Sequence, residues 1–169
     1  MRAFYARAIR TFETYSMTHK IDWTIKHFDK LTALEYHHIL ALRISIFVVE
    51  QDCPYQEVDH KDLHSYHVYG TIENNIVAVV RIVAPGISYS EISIGRVAVA
   101  EAYRGTNIGN DLMKTSIDFI AQTLGKQDIR ISAQEHLKSF YTRFDFKQVS
   151  EMYLEDDIPH VEMLRIASN

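Results

Sequence analysis

The sequence predicts a mixed-sheet α/β domain, and three observations carry that prediction. Stretches in which apolar residues alternate with polar ones, such as Ile21, Trp23 and Ile25 or Ile129, Ile131 and Ala133, have the two-residue period of strands. Between them lie two segments with apolar residues at helical spacing: Ile39, Leu42, Ile46 and Val49 in the first, and Ile108, Leu112, Ile117, Ile120 and Leu124 in the second. Taken in order, the elements read β-α-β-β-β-α-β-α-β-β, with hairpin connections that call for antiparallel neighbours in the same sheet.

Each element has its own local reason. The first strand spans Ile21 to Phe28, and a helix follows because Thr32 and Glu35 form a capping box, with Leu31 and Tyr36 placed as a hydrophobic staple. Leu40, Ile44 and Phe47 give that helix a second apolar side, so it should be deeply packed. Glu50 to His64 hold a proline and a dense polar mixture without a period, which reads as a long loop of the kind that carries function. Ser65–Glu73 and Ile76–Val83 read as strands joined across Asn74-Asn75, a pair that tolerates the positive φ of a tight hairpin. In the next strand, Glu91 to Val99, the apolar residues shift from Ile92 and Ile94 to Val97 and Val99. A slip of one residue with one face still buried implies a β-bulge near Gly95-Arg96. Gly125 suits the end of the second helix. His136–Arg143 has a short helical look, and Val149–Leu154 should pair with Val161–Ile166 across Glu155 to Pro159.

Composition narrows the function. At 169 residues, 47% hydrophobic and 24% charged, the chain has one domain's length. The longest stretch free of charged residues and histidine is Ile82 to Ser90, and it contains Pro85-Gly86, whereas a membrane helix needs about 20 apolar residues. Eighteen Lys and Arg against 22 Asp and Glu give a net charge of −4, without the basic field that nonspecific nucleic-acid or anionic-membrane binding needs. One cysteine, Cys53, excludes an intramolecular disulfide and favours a reducing, cytoplasmic setting. Residues 1–20 stand apart as an extension: Arg2, Arg7 and Arg10 face Glu13 alone, and Phe4, Ala8, Phe12 and Tyr15 share a helical face. A transit peptide, a docked helix and an extension upstream of a start at Met17 all fit it. The single domain is then 21–169.

The chemistry concentrates after the bulged strand. Arg104-Gly105-Thr106-Asn107-Ile108-Gly109-Asn110 leads from that strand into a helix, where unpaired backbone N–H groups and the helix dipole converge on an anion. The glycines allow close approach of a phosphate and Arg104 adds charge. The segment lacks both the Lys-Ser/Thr of a P-loop and G-x-G-x-x-G, so ordinary nucleotide motifs are disfavoured.

Ile94-Gly95-Arg96-Val97-Ala98-Val99 followed by Arg104 to Asn110 resembles the acetyl-CoA motif of the GNAT N-acyltransferases, R/Q-x-x-G-x-G/A. Phe47 to Gln56, Ala133 to Leu137 with Phe140-Tyr141, and Ile158-Pro159-His160 are similar to three further signatures of the ElaA branch of that family. The resemblance covers roughly residues 21–166. It implies the GNAT-like fold, a mixed, mostly antiparallel central sheet with a bulged, splayed strand and flanking helices. It also implies acetyl-CoA as co-substrate, with its pyrophosphate on Arg104, Gly105, Thr106, Asn107, Ile108, Gly109 and Asn110 and its pantetheine along Val97 and Val99. Tyr141 would lie near the thioester sulfur. Asn107 replaces the first glycine of the motif, and Asp145 replaces the glycine of Phe-Tyr-x-x-x-Gly-Phe; both types tolerate positive φ, so the turns survive while cofactor affinity could weaken.

The reaction expected is direct transfer of an acetyl group to an amine in a ternary complex, with no nucleic acid and no membrane as partner and a homodimer left open. A non-catalytic acyl-CoA-binding module and a protein-interaction module are the alternatives. An ammonium must lose a proton before it attacks, and Glu50, Glu57, Asp59 and His160 are the candidate bases, Glu50 and His160 foremost. Tyr141 is the candidate acid for the leaving thiolate. Cys53 as acyl carrier is disfavoured, since no His or Lys stands close to it in sequence. Asp59, His60, Asp62, His64 and His67 raise a metal question, but nothing orients them, and no metal is expected. Tyr55, Tyr66 and Tyr69 could line a substrate cleft.

Overall fold

The computed structural model describes residues 20–167, and the extension considered above lies outside them apart from Lys20. The strands are β1 (Asp22–His27), β2 (Ser65–Ile72), β3 (Asn75–Val83), β4 (Ile92–Val99), β5 (Ile129–Gln134), β6 (Lys147–Gln148), β7 (Tyr153–Glu155) and β8 (Ile158–Arg165). They form one sheet in the order β1-β2-β3-β4-β5-β8-β6, with β7 also on β8. Every pairing is antiparallel except β4 with β5. The mixed, mostly antiparallel sheet is therefore the fold of this chain.

β3 is the spine. Its residues Val77 to Val83 are each no more than 4% exposed, because helices cover both faces of the sheet. Val80 and Ile82 face α2 (Ile108–Phe119) and pack with Leu112, Met113 and Ile120. Val79 turns the other way, to Ile39 and Ile46 from α1 (Ala33–Ile44) and its extension. Each fully buried Val or Ile contributes about 1.5–3 kcal/mol of burial. The sheet also accommodates its edge tightly: a Cβ at Gly70 would lie 2.7 Å from the Trp23 ring of β1, so only glycine lets the two strands meet there.

The capping box forms as expected: the Glu35 amide donates to Thr32 Oγ1 at 3.2 Å, and the Thr32 amide donates to the Glu35 carboxylate at 2.8 Å. Beyond Ile44 the helix loosens into a π-helical turn, Ser45–Glu50, where the Gln51 amide donates to the Ile46 carbonyl. Such turns cluster at functional sites, and this one delivers Glu50 to a cleft. Two hairpins differ from the sequence reading. The first turns on Glu73-Asn74, both at positive φ, with Asn75 already in β3. The last turns on Asp156-Asp157, at φ +49 and +62. β8 thus starts at Ile158, ahead of the expected Val161, and His160 lies within it. Asn107 and Asp145 adopt φ +73 and +65, the left-handed conformations for which each stands in place of glycine. The short helix α3 is Lys138–Thr142.

Candidate active site

β4 and β5 are neighbours only at their first residues, where Ile92 pairs with Ile129 and Ser93 with Arg130. Beyond that point β4 follows β3 while β5 follows β8, so the two strands part. The edge of β4 from Ile94 onward faces a gap, and backbone groups on such an edge need partners. The gap opens into a cleft of about 720 Å³. Ser93 to Val99 of β4 form its floor. Ser132 and Gln134 of β5, Glu50 of the π-helical turn, Tyr141 and His160 stand around it. Gln134 donates to Gln51 at 3.1 Å and ties two of its walls together.

The predicted bulge is in this floor. Val79 pairs with Ala98 and Arg81 with Gly95, leaving Arg96 and Val97 together opposite Val80. Arg96 takes φ +54, a conformation that costs a residue with a side chain about 1–2 kcal/mol and persists only where the surroundings impose it. At the far end of β4 the chain turns into α2 through Gly105 and Asn107, both at positive φ. Asn107 caps α2 without bonding its amides; its side chain accepts from Asn110 Nδ2 at 2.6 Å and donates to Asp111 at 3.1 Å. The amides of Ile108 and Gly109 consequently have no backbone partner among the described residues, which is the anion-binding arrangement at a helix start. The Ile108 side chain is buried in the core, so only its backbone can reach a ligand. Arg104 lines the cleft, whereas Gly105, Thr106, Asn107, Ile108, Gly109 and Asn110, which follow it in the chain, do not.

Arg104 is committed elsewhere. Its two terminal nitrogens donate to the two carboxylate oxygens of Glu50, each at 2.7 Å, and its Nε donates to the Val99 carbonyl at 3.0 Å. The Arg104 guanidinium holds the Glu50 carboxyl below the usual carboxylate range. A phosphate ligand and a proton acceptor expected to act separately are thus locked together. Tyr141 is 7% exposed and lines the cleft, with no side-chain hydrogen bond among the described residues. Burial pushes its phenol up to about 12. Tyr141 joins the core cluster, while Phe140 is only half-buried. His160 stacks on Tyr153, with ring centroids 6.2 Å apart, and its Nδ1 lies 2.8 Å from the Ile158 carbonyl. A carbonyl only accepts, so the neutral ring carries its proton on Nδ1 and leaves the Nε2 lone pair free.

Beneath the cleft lies a buried ion network that the sequence reading missed. Arg43, 1% exposed, donates to Glu57 at 2.7 Å and to Asp62 at 2.8 Å. Arg81 donates to Asp62 at 2.9 Å and to Asp59 at 2.6 Å; Arg96 donates to Glu57 at 2.9 Å; Tyr36 donates to Asp62 at 2.8 Å. Burial alone would raise the Asp62 carboxyl, but its two arginines outweigh this and hold it at about 2. Glu57 and Asp59, two of the candidate bases, are therefore partners of arginines. His67 is 1% exposed and burial drives it down to about 4, Asp59 and Asp62 are taken up by arginine, and His60 and His64 are exposed. Of the three tyrosines, Tyr55 lines the cleft; Tyr69 donates to Glu35 at 2.6 Å, and Tyr66 packs edge-on against Phe119. Cys53 also lines the cleft, half-buried. One signal in the sequence could have exposed the network: Arg43 falls between Ile39 and Ile46 on the apolar stripe of its helix, where a charge requires a buried partner.

A sheet parted beside a bulged strand, with an open helix start at the end of that strand, defines an acyltransferase fold. The chain belongs to the GNAT family: the model of the acetyltransferase (GNAT) domain matches residues 42–166. It is similar to protein ElaA of Escherichia coli, 37% identical over 147 residues that make up 86% of this chain and 96% of that protein. The crystal structure of ElaA superposes with a TM-score of 0.82, covering 86% of this chain and 99% of that one. An acyl-CoA N-acyltransferase from Pseudomonas aeruginosa is 40% identical with a TM-score of 0.83, at the same coverage of 86% and 99%. An aminoglycoside 6'-N-acetyltransferase complexed with coenzyme A shares the fold at 14% identity, with a TM-score of 0.60 over 85% of this chain and 96% of that one. Among the described residues no helix is long and apolar enough to cross a membrane.

Proposed function

We propose that this protein transfers the acetyl group of acetyl-CoA to an amine by direct attack. The observation that carries the reading is the single run of β4 into α2: an unpaired strand edge, a bulge, and then open amides at a helix start. That sequence of features matches the three parts of the thioester substrate. Its pantetheine would pair with the edge at Val97 and Val99, its carbonyl would meet the bulge, and its pyrophosphate would reach Arg104, Gly105, Thr106, Asn107, Ile108, Gly109 and Asn110. The relative complexed with coenzyme A supports a CoA site on this fold.

In the proposed reaction the amine nitrogen attacks the carbonyl carbon, the C–N bond forms, and the C–S bond breaks. Negative charge on the carbonyl oxygen is met by backbone N–H groups fixed in place before the reaction starts. The amine's proton passes to His160 Nε2 or to Glu50, and Tyr141 protonates the departing thiolate. Cys53 takes no covalent part. A single cysteine supports a cytoplasmic setting for this chemistry. The test is thiol release from acetyl-CoA across a panel of amines. Acceptor-dependent release with intersecting double-reciprocal lines, retained in Cys53→Ala, is the expected result; parallel lines with an acetylated Cys53 would replace direct attack by an acyl-enzyme.

A further inference from the structure

The bulge in β4 does not hold itself. Arg96 sits at φ +54, where its backbone is strained, and it has no ladder partner among the described residues. Its side chain is fixed on three sides. Its guanidinium carbon lies 5.8 Å from the centroid of the Phe47 ring and 5.4 Å from that of Tyr55, and its Nε donates to Glu57 at 2.9 Å. The same oxygen of Glu57 accepts from Arg43 at 2.7 Å, and Arg43 is itself tied to Asp62. Glu57 is 4% exposed, and its other oxygen has no partner among the described residues. A buried carboxylate held in this way spends its one engaged oxygen on joining the bulge to the helix α1.

We propose that Glu57 is a positioning residue that acts through Arg96, pinning the bulged backbone of Arg96 and Val97 so that it meets the thioester carbonyl. The inference rests on the reading of the cleft as an acetyl-CoA site. The chain of contacts runs from a residue buried in α1, through one carboxylate oxygen, to the strained residue whose neighbour faces the gap. The pyrophosphate end, at Arg104 to Asn110, lies on a different segment and among the described residues shares no hydrogen bond with this chain of contacts. Losing the pin should therefore blunt recognition of the acetyl carbonyl and leave the grip on the rest of the molecule intact.

That separation gives the experiment. Affinities of the full chain for CoA and for acetyl-CoA are measured by titration calorimetry, and their ratio is the readout. The wild type should prefer acetyl-CoA by about fivefold, roughly one neutral hydrogen bond. Arg96→Ala should bring the ratio near one while CoA affinity stays within about twofold, and Arg96→Lys, which keeps a cation for Glu57, should restore most of the preference. Glu57→Gln should lose the preference as Arg96→Ala does, and the double variant should lose no more than either alone. Because Arg96→Ala leaves the bond from Arg43 to Glu57 in place, it tests the idea even if Glu57→Gln does not fold. A preference that survives Arg96→Ala, or losses that multiply in the double variant, would overturn the role of Glu57. A wild type that binds CoA and acetyl-CoA equally would also overturn it, whereas one that binds neither would overturn the reading of the cleft.

Discussion

The guanidinium of Arg104 and the carboxylate of Glu50 face each other in parallel, with two hydrogen bonds of 2.7 Å joining residues 54 apart in the chain. On the proposed function this pair is a competition. An arginine that holds a carboxylate with both terminal nitrogens has less to offer a pyrophosphate, and a carboxylate so held is a weak base. Glu50→Gln removes the competitor and should tighten CoA binding about two- to fivefold, in keeping with the small worth of an exposed ion pair. Arg104→Gln should weaken it about tenfold or more, the scale of charge-assisted bonds. Calorimetric titration with CoA checks both, and a Glu50→Gln variant that binds CoA more weakly would show that the pair assists the ligand instead of opposing it.

Gly109 offers a cleaner probe of the helix start. A Cβ built there would lie 3.8 Å from the Phe140 ring and 3.9 Å from Val99, which is ordinary contact, and its φ is not in the left-handed region. Gly109→Ala should therefore fold with unchanged or slightly higher stability, since alanine favours helices by about 1 kcal/mol over glycine. Gly109→Asp should fold as well but lose the thermal shift with CoA, because it sets a negative charge at the amides where phosphate would bind. A CoA-induced shift that persists in Gly109→Asp would move the pyrophosphate away from this turn.

Much of this architecture was legible in the sequence, and the parts that were not share a cause. The capping box at Thr32 and Glu35, the alternation slip that gives the bulge, and the positive φ at Asn107 and Asp145 are local: each is written within a few residues. Glu57 meets Arg43 across 14 residues and Arg96 across 39, and no short-range period marks such a meeting. In the sequence they look like charges of a solvated loop. The tyrosines fail for a similar reason, since Tyr69 faces Glu35 from 34 residues away. The π-helical turn at Ser45–Glu50 has no distinctive composition, and it is what turns Glu50 toward the cleft. At the site itself, the sequence brought Glu50, Arg104, Val97, Val99, Tyr141 and His160 to one cleft; what it could not convey was that two of them already bind each other.

His67 makes stability depend on pH in a defined window. Burial lowers its folded pKa to about 4 from an ordinary value of 6.5. Between those values the unfolded chain binds the proton and the folded chain does not, so acidification favours unfolding. The contribution is fully present above pH 6.5, falls as pH drops toward 4 and then levels off, for a total of about 3 kcal/mol. Urea titrations across this range should show the midpoint falling with pH in the wild type. In a folded His67→Gln variant the slope should be smaller. An equal slope in that variant would assign the acid sensitivity to other groups.

Tyr141 is the residue on which the proposed chemistry depends most. Its hydroxyl has no hydrogen-bond partner among the described residues, although its ring belongs to the core and its side chain lines the cleft. A phenol whose ring is held in the core and whose hydroxyl opens onto a cleft can meet a ligand there. Burial keeps its proton up to about 12, so at neutral pH the phenol stays protonated and can hydrogen-bond the departing thiolate; because a thiol's ordinary pKa is near 8.5, any proton it passes on must be replaced at once by the one the base took from the amine. Tyr141→Phe preserves the ring and removes only the hydroxyl. The unfolding midpoint should therefore change little, because no hydrogen bond within the protein is lost, and CoA affinity should hold because the pyrophosphate and strand-edge contacts are untouched. The rate of acetyl transfer should fall by about ten- to a thousandfold in kcat. With an amine whose thiol release is limited by chemistry, the loss should be greatest for CoA thioesters and smaller for a thioester whose leaving thiol has a lower pKa, since a better leaving group needs less help from an acid. A Tyr141→Phe enzyme with wild-type kcat on both thioesters would remove the hydroxyl from the mechanism and leave Tyr141 as a packing residue.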